Sequence, residues 1–205
     1  MIQRVTRTEL TRHPEKSSSE RADLDALLDS ERIGHFSLST DAGPVIIPTA
    51  IARDGDRVLA HGSTGSTWMR ALADGAATCL AVTAFDALVV ARSAFESSMH
   101  YRSAVIFGRC VPVRDDEKAE ALDLITDHLI PGRVAELRRP TAKELAATQV
   151  LALPIEEWSV KMSAKWPEDG DADIAGDAWA GVVPRAVTFG SPRPAPNLRD
   201  GIPVP

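Results

Sequence analysis

The sequence predicts a mainly β protein: a closed or nearly closed antiparallel barrel with helices at its ends. Three observations carry this. Six or more short apolar segments with strand character follow one another along the chain. Helical segments are inserted among them and do not alternate strand by strand, so a doubly wound parallel sheet does not fit. Strands this short would leave exposed edges in an open sheet, and closure removes those edges.

Taken in order, residues 1–19 read as a flexible N-terminal arm. Ala22 to Arg32 reads as a helix, because Leu24, Leu27 and Leu28 are spaced for one buried face. Gly34 to Thr40 reads as a strand in which His35, Ser37 and Ser39 alternate with Phe36, Leu38 and Thr40. Asp41-Ala42-Gly43-Pro44 has turn chemistry, and Val45 to Arg53 is the next strand. Asp54-Gly55-Asp56 marks a hairpin into the strand Arg57 to His61. A hydroxyl-rich loop then leads to a helix over Thr67 to Ala73, ended by Asp74-Gly75. Strands are expected over Ala77 to Thr83, Ala87 to Arg92 and His100 to Arg114.

Asp115-Asp116-Glu117 opens a helix through Leu129, its acidic residues facing the positive end of the helix dipole. Ala119, Leu122, Ile125 and Leu129 supply the apolar stripe, and Pro131-Gly132 stops it. Thr141 and Glu144 have capping-box spacing at the start of a helix through Ala147. Gln149 to Ile155 and Ser159 to Met162 complete the strands. The expected organisation is one barrel domain over 20–165 and a Pro/Gly-rich tail over 166–205. From Pro167 onward lie half of the 14 prolines and five glycines, which suits an extended tail and not a second domain. Trp179 and Val182-Val183 suggest that its middle docks on the barrel.

Composition narrows the function. A net charge of −6 weighs against nucleic acid or an anionic membrane as partner. No stretch approaches the roughly 18 apolar residues of a membrane span, and the first twenty residues lack the apolar core of a secretory signal. Cys79 and Cys110 stand in strand-like runs without a CxxC, which fits two reduced thiols in a cytoplasmic protein. No His, Asp or Glu set has metal-ligand spacing, and no nucleophile-elbow motif is present.

Two constellations carry chemistry. In Val58-Leu-Ala-His-Gly-Ser-Thr-Gly-Ser-Thr-Trp-Met-Arg70, a strand runs through a loop of glycines and hydroxyls into a helix. Such a loop offers Ser63, Thr64, Ser66 and Thr67 hydroxyls and backbone amides to a phosphate, with Gly62 and Gly65 permitting the positive φ and close approach that a phosphate cradle requires. The same run also reads as plain N-capping. In the second, Ser97 to Gly108, Arg102 and Ser103 stand where a polar loop enters an apolar strand. Arg102 there suits a phosphate or carbonyl, and suits a structural carboxylate equally well; Arg92 carries the same two readings. His61 suits proton transfer or binding of an acid, or merely a bond to a loop carbonyl. His35 and His100 read as structural, His13 and His128 as surface residues.

Five pieces in order, Val58-Leu-Ala-His-Gly-Ser63, Met99-His-Tyr-Arg-Ser-Ala-Val-Ile-Phe-Gly108, Pro131-Gly-Arg133, Arg139-Pro140 and Trp158-Ser-Val-Lys161, resemble the pyridoxamine 5′-phosphate oxidase-like FMN-binding split-barrel superfamily, in its flavin-nucleotide-binding and nitroimidazole-reductase-like branch. The resemblance implies a six-stranded antiparallel split β-barrel, assembled as a homodimer with FMN at the interface. It implies Ser63, Ser66 and Thr67 near the phosphate, and Arg102 and Ser103 near phosphate or ring edge. Ile47, Pro48, Thr49 and Ala50 would run beside the isoalloxazine, His61 would stand near the flavin as a candidate proton donor, and Trp158 and Lys161 would approach the partner's cofactor. The oxidase proper has an Arg-Lys pair after its loop serine; here Thr67-Trp68 stands there, leaving Arg70, Arg92 or Arg102 to meet the phosphate charge. The expected function is an FMN-dependent oxidoreductase acting on a small molecule, with NAD(P)H as donor and pyridoxamine phosphate not expected as substrate. The alternative is a non-catalytic binding protein holding FMN, haem or a deazaflavin.

Overall fold

The computed structural model describes residues 6–204, so the first five residues of the expected arm, and Pro205, lie outside the described residues. A single 3-10 turn, Pro14–Lys16, leads to β1 (Ser17–Ser18) and α1 (Arg21–Ser30). Then come β2 (Ile33–Thr40), β3 (Gly43–Asp54), β4 (Arg57–Ser63), α2 (Thr67–Ala73), β5 (Ala77–Val90), β6 (Ser98–Arg109) and β7 (Val111–Pro112). α3 (Lys118–Leu129), a 3-10 turn at Arg133–Glu136, α4 (Ala142–Ala147), β8 (Thr148–Pro154) and β9 (Glu157–Ser163) follow. The tail contributes α5 (Asp171–Ile174) and β10 (Gly181–Pro184). The strands run in the order β1-β9-β6-β5-β2-β3-β4-β8-β7, with β10 on β5, and every pairing is antiparallel.

The barrel is split at β3. Its residues Gly43 to Ala50 pair with β2, whereas Ile51 to Asp54 pair with β4, which leaves to join β8. One strand therefore belongs to two sheets, and the edge of β3 from Gly43 to Ala50 that faces away from β2 has no strand partner among the described residues. Two turns are as the sequence predicts, with Gly43 and Gly55 at φ 116° and 57°.

The core has two parts. α1 plugs the barrel: Leu24, Leu27 and Leu28 are fully buried with Phe36, Ile51, Leu72, Leu80 and Ile106. Each such leucine contributes about 1.5–3 kcal/mol through burial. Outside the barrel wall, Ala52, Leu59, Val150 and Ala152 pack under Ala121 and Ile125 of α3. Strand alternation sorts the two layers, since Val58 and Ala60 face inward while Leu59 faces α3.

Two expectations are corrected. The separate strands Ala77–Thr83 and Ala87–Arg92 are one strand, β5, with a register break between Phe85 and Ala87. Asp86 is accommodated by a bulge and does not end the strand. The expected strand from His100 to Arg114 is divided at Cys110, where the chain leaves β6 for β7 on the other sheet. In the tail, the Asp169 carboxylate accepts from the backbone N–H of Arg92 (2.8 Å) and from its Nη1 (2.9 Å), and β10 lies antiparallel on Ala87 to Val90. Among the described residues, no helix is long and apolar enough to cross a membrane.

Candidate functional site

Cross-strand register gathers several of the predicted residues on one face. Ala50 pairs with Ile33, Pro48 with His35, His35 with Ala81, Ala81 with Val105, Thr83 with Ser103, and Ser103 with Lys161. All share the side of β3 that also carries Ala52, away from the plugged core. His61 shares the side of Leu59 on β4, the same outward face. α3 covers only the Ala52–Leu59–Val150 part of it. Beyond α3 the face is bare: Ile33 and Ile46 are 57% and 68% exposed.

His61 follows three fully buried residues, Val58, Leu59 and Ala60, so its ring is held half-buried against the sheet. Its Nδ1 is buried with no hydrogen-bond partner among the described residues. Burial pushes its pKa below the ordinary 6.5, which keeps the imidazole neutral and its lone pair available. An unpartnered buried ring nitrogen is costly and calls for something that completes it.

The loop after β4 has a defined internal structure. Ser63 Oγ accepts from the Gly65 N–H (3.1 Å), Ser63 O accepts from the Ser66 N–H (2.9 Å), and Thr64 N–H donates to Ala147 O (3.0 Å). Ser66 stands at the cap position of α2, yet its hydroxyl makes no cap bond. The Ser66 and Thr67 hydroxyls and the first-turn amides of α2 have no partner among the described residues. Neither Gly62 nor Gly65 has positive φ. At Gly62 the requirement is close approach instead, because a Cβ would lie 3.0 Å from Met69 Cγ. Arg70 is exposed on α2 and pairs with no carboxylate among the described residues.

The other candidates divide. Arg102 makes a two-pronged pair with Asp86, Nε to Oδ2 at 3.0 Å and Nη2 to Oδ1 at 2.9 Å, and reaches Ser30 Oγ at 3.4 Å. Of its two readings, the carboxylate anchor is the geometry seen. Arg92 is likewise held by Asp169. Ser103 Oγ donates to Lys161 O (3.4 Å), so these two lie side by side on the outward face. Trp158 and Ile47 point the other way and pack against the barrel core, and Thr49 shares their side.

From the sequence His35 reads as structural. It stands exposed on the bare face, opposite Pro48, with no hydrogen bond among the described residues. His100 and His128 each have a backbone carbonyl partner, Lys165 O and Glu31 O, as structural histidines do. The alternation of His35 with Phe36 already gave its side; what it meets there is not written in the alternation. Among the described residues, no group of three or more His, Cys, Asp or Glu is placed to hold a metal ion.

Solved structures share this fold. A FAD- and haem-binding protein from Mycobacterium smegmatis is 51% identical to this chain, over 93% of this chain and 94% of its own, with a TM-score of 0.89. The flavocytochrome Anf3 from Azotobacter vinelandii is 35% identical over 98% and 94% of the two chains, with a TM-score of 0.90. A 5-nitroimidazole antibiotic resistance protein from Bacteroides thetaiotaomicron, at 16% identity over 71% and 86% and a TM-score of 0.61, shares the fold. No curated protein matches the sequence. The family model described as pyridoxamine 5′-phosphate oxidase matches residues 20–162, the barrel from α1 to β9. With the split at β3, the plugged core and that match in agreement, the chain belongs to the pyridoxamine 5′-phosphate oxidase family.

Proposed function

We propose that this chain is a cytoplasmic, homodimeric oxidoreductase that binds a flavin and a haem on its outward face, with FAD in place of the expected FMN. The observation that carries the reading is the buried, unpartnered Nδ1 of a neutral His61 beside a bare apolar face. Likeness to the FAD- and haem-binding protein, at 51% identity, supports the choice of cofactors. A flavin and a haem together supply the conversion between two-electron and one-electron redox chemistry.

The chain's own residues fit these groups. Neutral imidazole is the form that ligates iron, and the depressed pKa of His61 maintains it. The Ser66 and Thr67 hydroxyls are uncommitted and suit a phosphate, with Arg70 as the nearby cation. The open edge of β3 from Ile47 to Ala50 offers backbone donors and acceptors to a ring edge. Ser103 and Lys161 provide a hydroxyl and a cation on the same face.

A second copy of the chain covers what remains. Ile33, His35, Ile46, Pro48, Ala81 and Val105 form a continuous sheet surface, mostly apolar, that no helix among the described residues shields. Such surfaces on soluble proteins mark interfaces. Sedimentation of the wild type should give the dimer mass, and Ile46→Asp should give the monomer with loss of bound cofactor. A monomeric wild type that keeps both cofactors would refute the shared site. Anaerobic reduction of the bound flavin by NADPH tests the oxidoreductase assignment against mere cofactor storage.

A further inference from the structure

The N-terminal turn, the tip of the β5–β6 hairpin and the start of the tail enclose an open cavity of about 360 Å³. That volume stands near the lower end of the range for small-molecule sites, about 300–1,000 Å³, and suits one nucleotide more than a whole dinucleotide. Ser163 on its wall stands two positions beyond Lys161 on β9, so the cavity adjoins the end of the outward face.

Two features of its lining are otherwise unexplained. Phe95 and Trp166 are 91% and 73% exposed on its rim. Exposed aromatic rings beside a polar cavity can stack a nucleobase, whose π-face needs no particular hydrogen-bond pattern. The second feature is charge. Lys165 pairs with Glu168 at 3.2 Å and His13 Nδ1 is hydrogen-bonded to Glu15 at 3.1 Å, but Arg12 and Lys16 form no ion pair among the described residues. Two such cations beside one cavity form a local positive patch in a chain of net charge −6. The carboxylate of Glu96, the remaining one of the lining, has no partner among the described residues and can accept from ribose hydroxyls or a base amino group. His13 holds the turn with φ 59° and ψ 56°, the single non-glycine residue with positive φ among those described.

We propose that this cavity binds the adenosine-phosphate part of a nucleotide, the base against Trp166 and Phe95 and the phosphates on Arg12 and Lys16. The site rests on the flavin reading only where the adenosine is the cofactor's own; a free dinucleotide needs neither flavin nor haem in place. Two sources share the chemistry: a free pyridine dinucleotide, or the adenosine half of FAD bound to the neighbouring face. ADP is the probe, titrated against tryptophan emission in the protein as purified and again after bound chromophores are stripped. Saturable quenching is expected, weakened at least tenfold in Arg12→Ala/Lys16→Ala and abolished in Trp166→Ala. Binding to the protein as purified, with its visible spectrum unchanged, assigns the site to a free dinucleotide. Binding only after stripping, with FAD in the extract, assigns it to the cofactor's own adenosine. A colourless protein that still binds ADP keeps this site while removing the flavin–haem reading. Absence of saturable binding in both forms, or binding that the double variant leaves unchanged, overturns the proposal.

Discussion

Replacing Gly34 by alanine tests the packing that keeps α1, β2 and β5 in place behind the outward face. An added Cβ would lie 2.5 Å from Leu80 Cδ1 and 2.9 Å from Ile51 Cγ2. Ordinary carbon contacts are about 3.5–4.0 Å, so a neighbour must retreat by about an ångström. Leu80 and Ile51 are both fully buried among Phe36, Leu24 and Leu28, which leaves little slack. Overpacking of this kind costs about 1–3 kcal/mol. For a chain of this size that is a fall in Tm of about 2–12 °C. Gly62→Ala meets only the flexible chain of Met69, at 3.0 Å from Cγ and 3.2 Å from Sδ, and should cost clearly less. Differential scanning calorimetry of both variants gives the comparison. Trimming the obstacle in Gly34→Ala/Ile51→Val should recover part of the loss. A Gly34→Ala protein that melts with the wild type, or above Gly62→Ala, would refute the packing argument.

Other consequences can be checked alongside. Asp169→Ala removes a carboxylate that is 2% exposed and that holds Arg92 twice, so it should cost about 3 kcal/mol and speed proteolysis of the tail; an unchanged cleavage rate would mean that β10 alone anchors it. His61 binds a proton less readily folded than unfolded, where its pKa is near the ordinary 6.5. Stability should therefore fall as pH drops below about 6.5, and His61→Gln should flatten that slope in urea midpoints; parallel slopes would contradict it. Burial pushes the Cys110 thiol up to about 12, so iodoacetamide at neutral pH should leave it unmodified until the protein unfolds, as mass spectrometry can follow.

Local chemistry made much of this fold legible. The Asp-Gly turn at Gly55 and the Asp74-Gly75 stop gave the ends of β3 and of α2, and Gly75 has the positive φ such a stop needs. The Thr141–Glu144 capping box forms as its spacing indicates, with the Thr141 N–H donating to Glu144 Oε2 at 2.8 Å. What depended on distant register was not legible. The sequence pattern divides β5 into two strands, but the bulge at Asp86 carries the strand through and presents that carboxylate to Arg102 across the hairpin. Asp169 meets Arg92 from 77 residues away, a pairing that no local pattern announces. Likewise, the run of hydroxyls before α2 is visible in sequence, while the outward grouping of His35, His61, Ser103 and Lys161 needs five strand registers at once.

The visible absorption spectrum of the purified protein addresses the central claim directly. Flavin and Soret bands are expected together in the wild type, and His61→Ala should lose the Soret band while retaining flavin. A wild type that stays colourless when FAD and haem are both supplied, or a His61→Ala protein with an unaltered Soret band, would contradict the assignment.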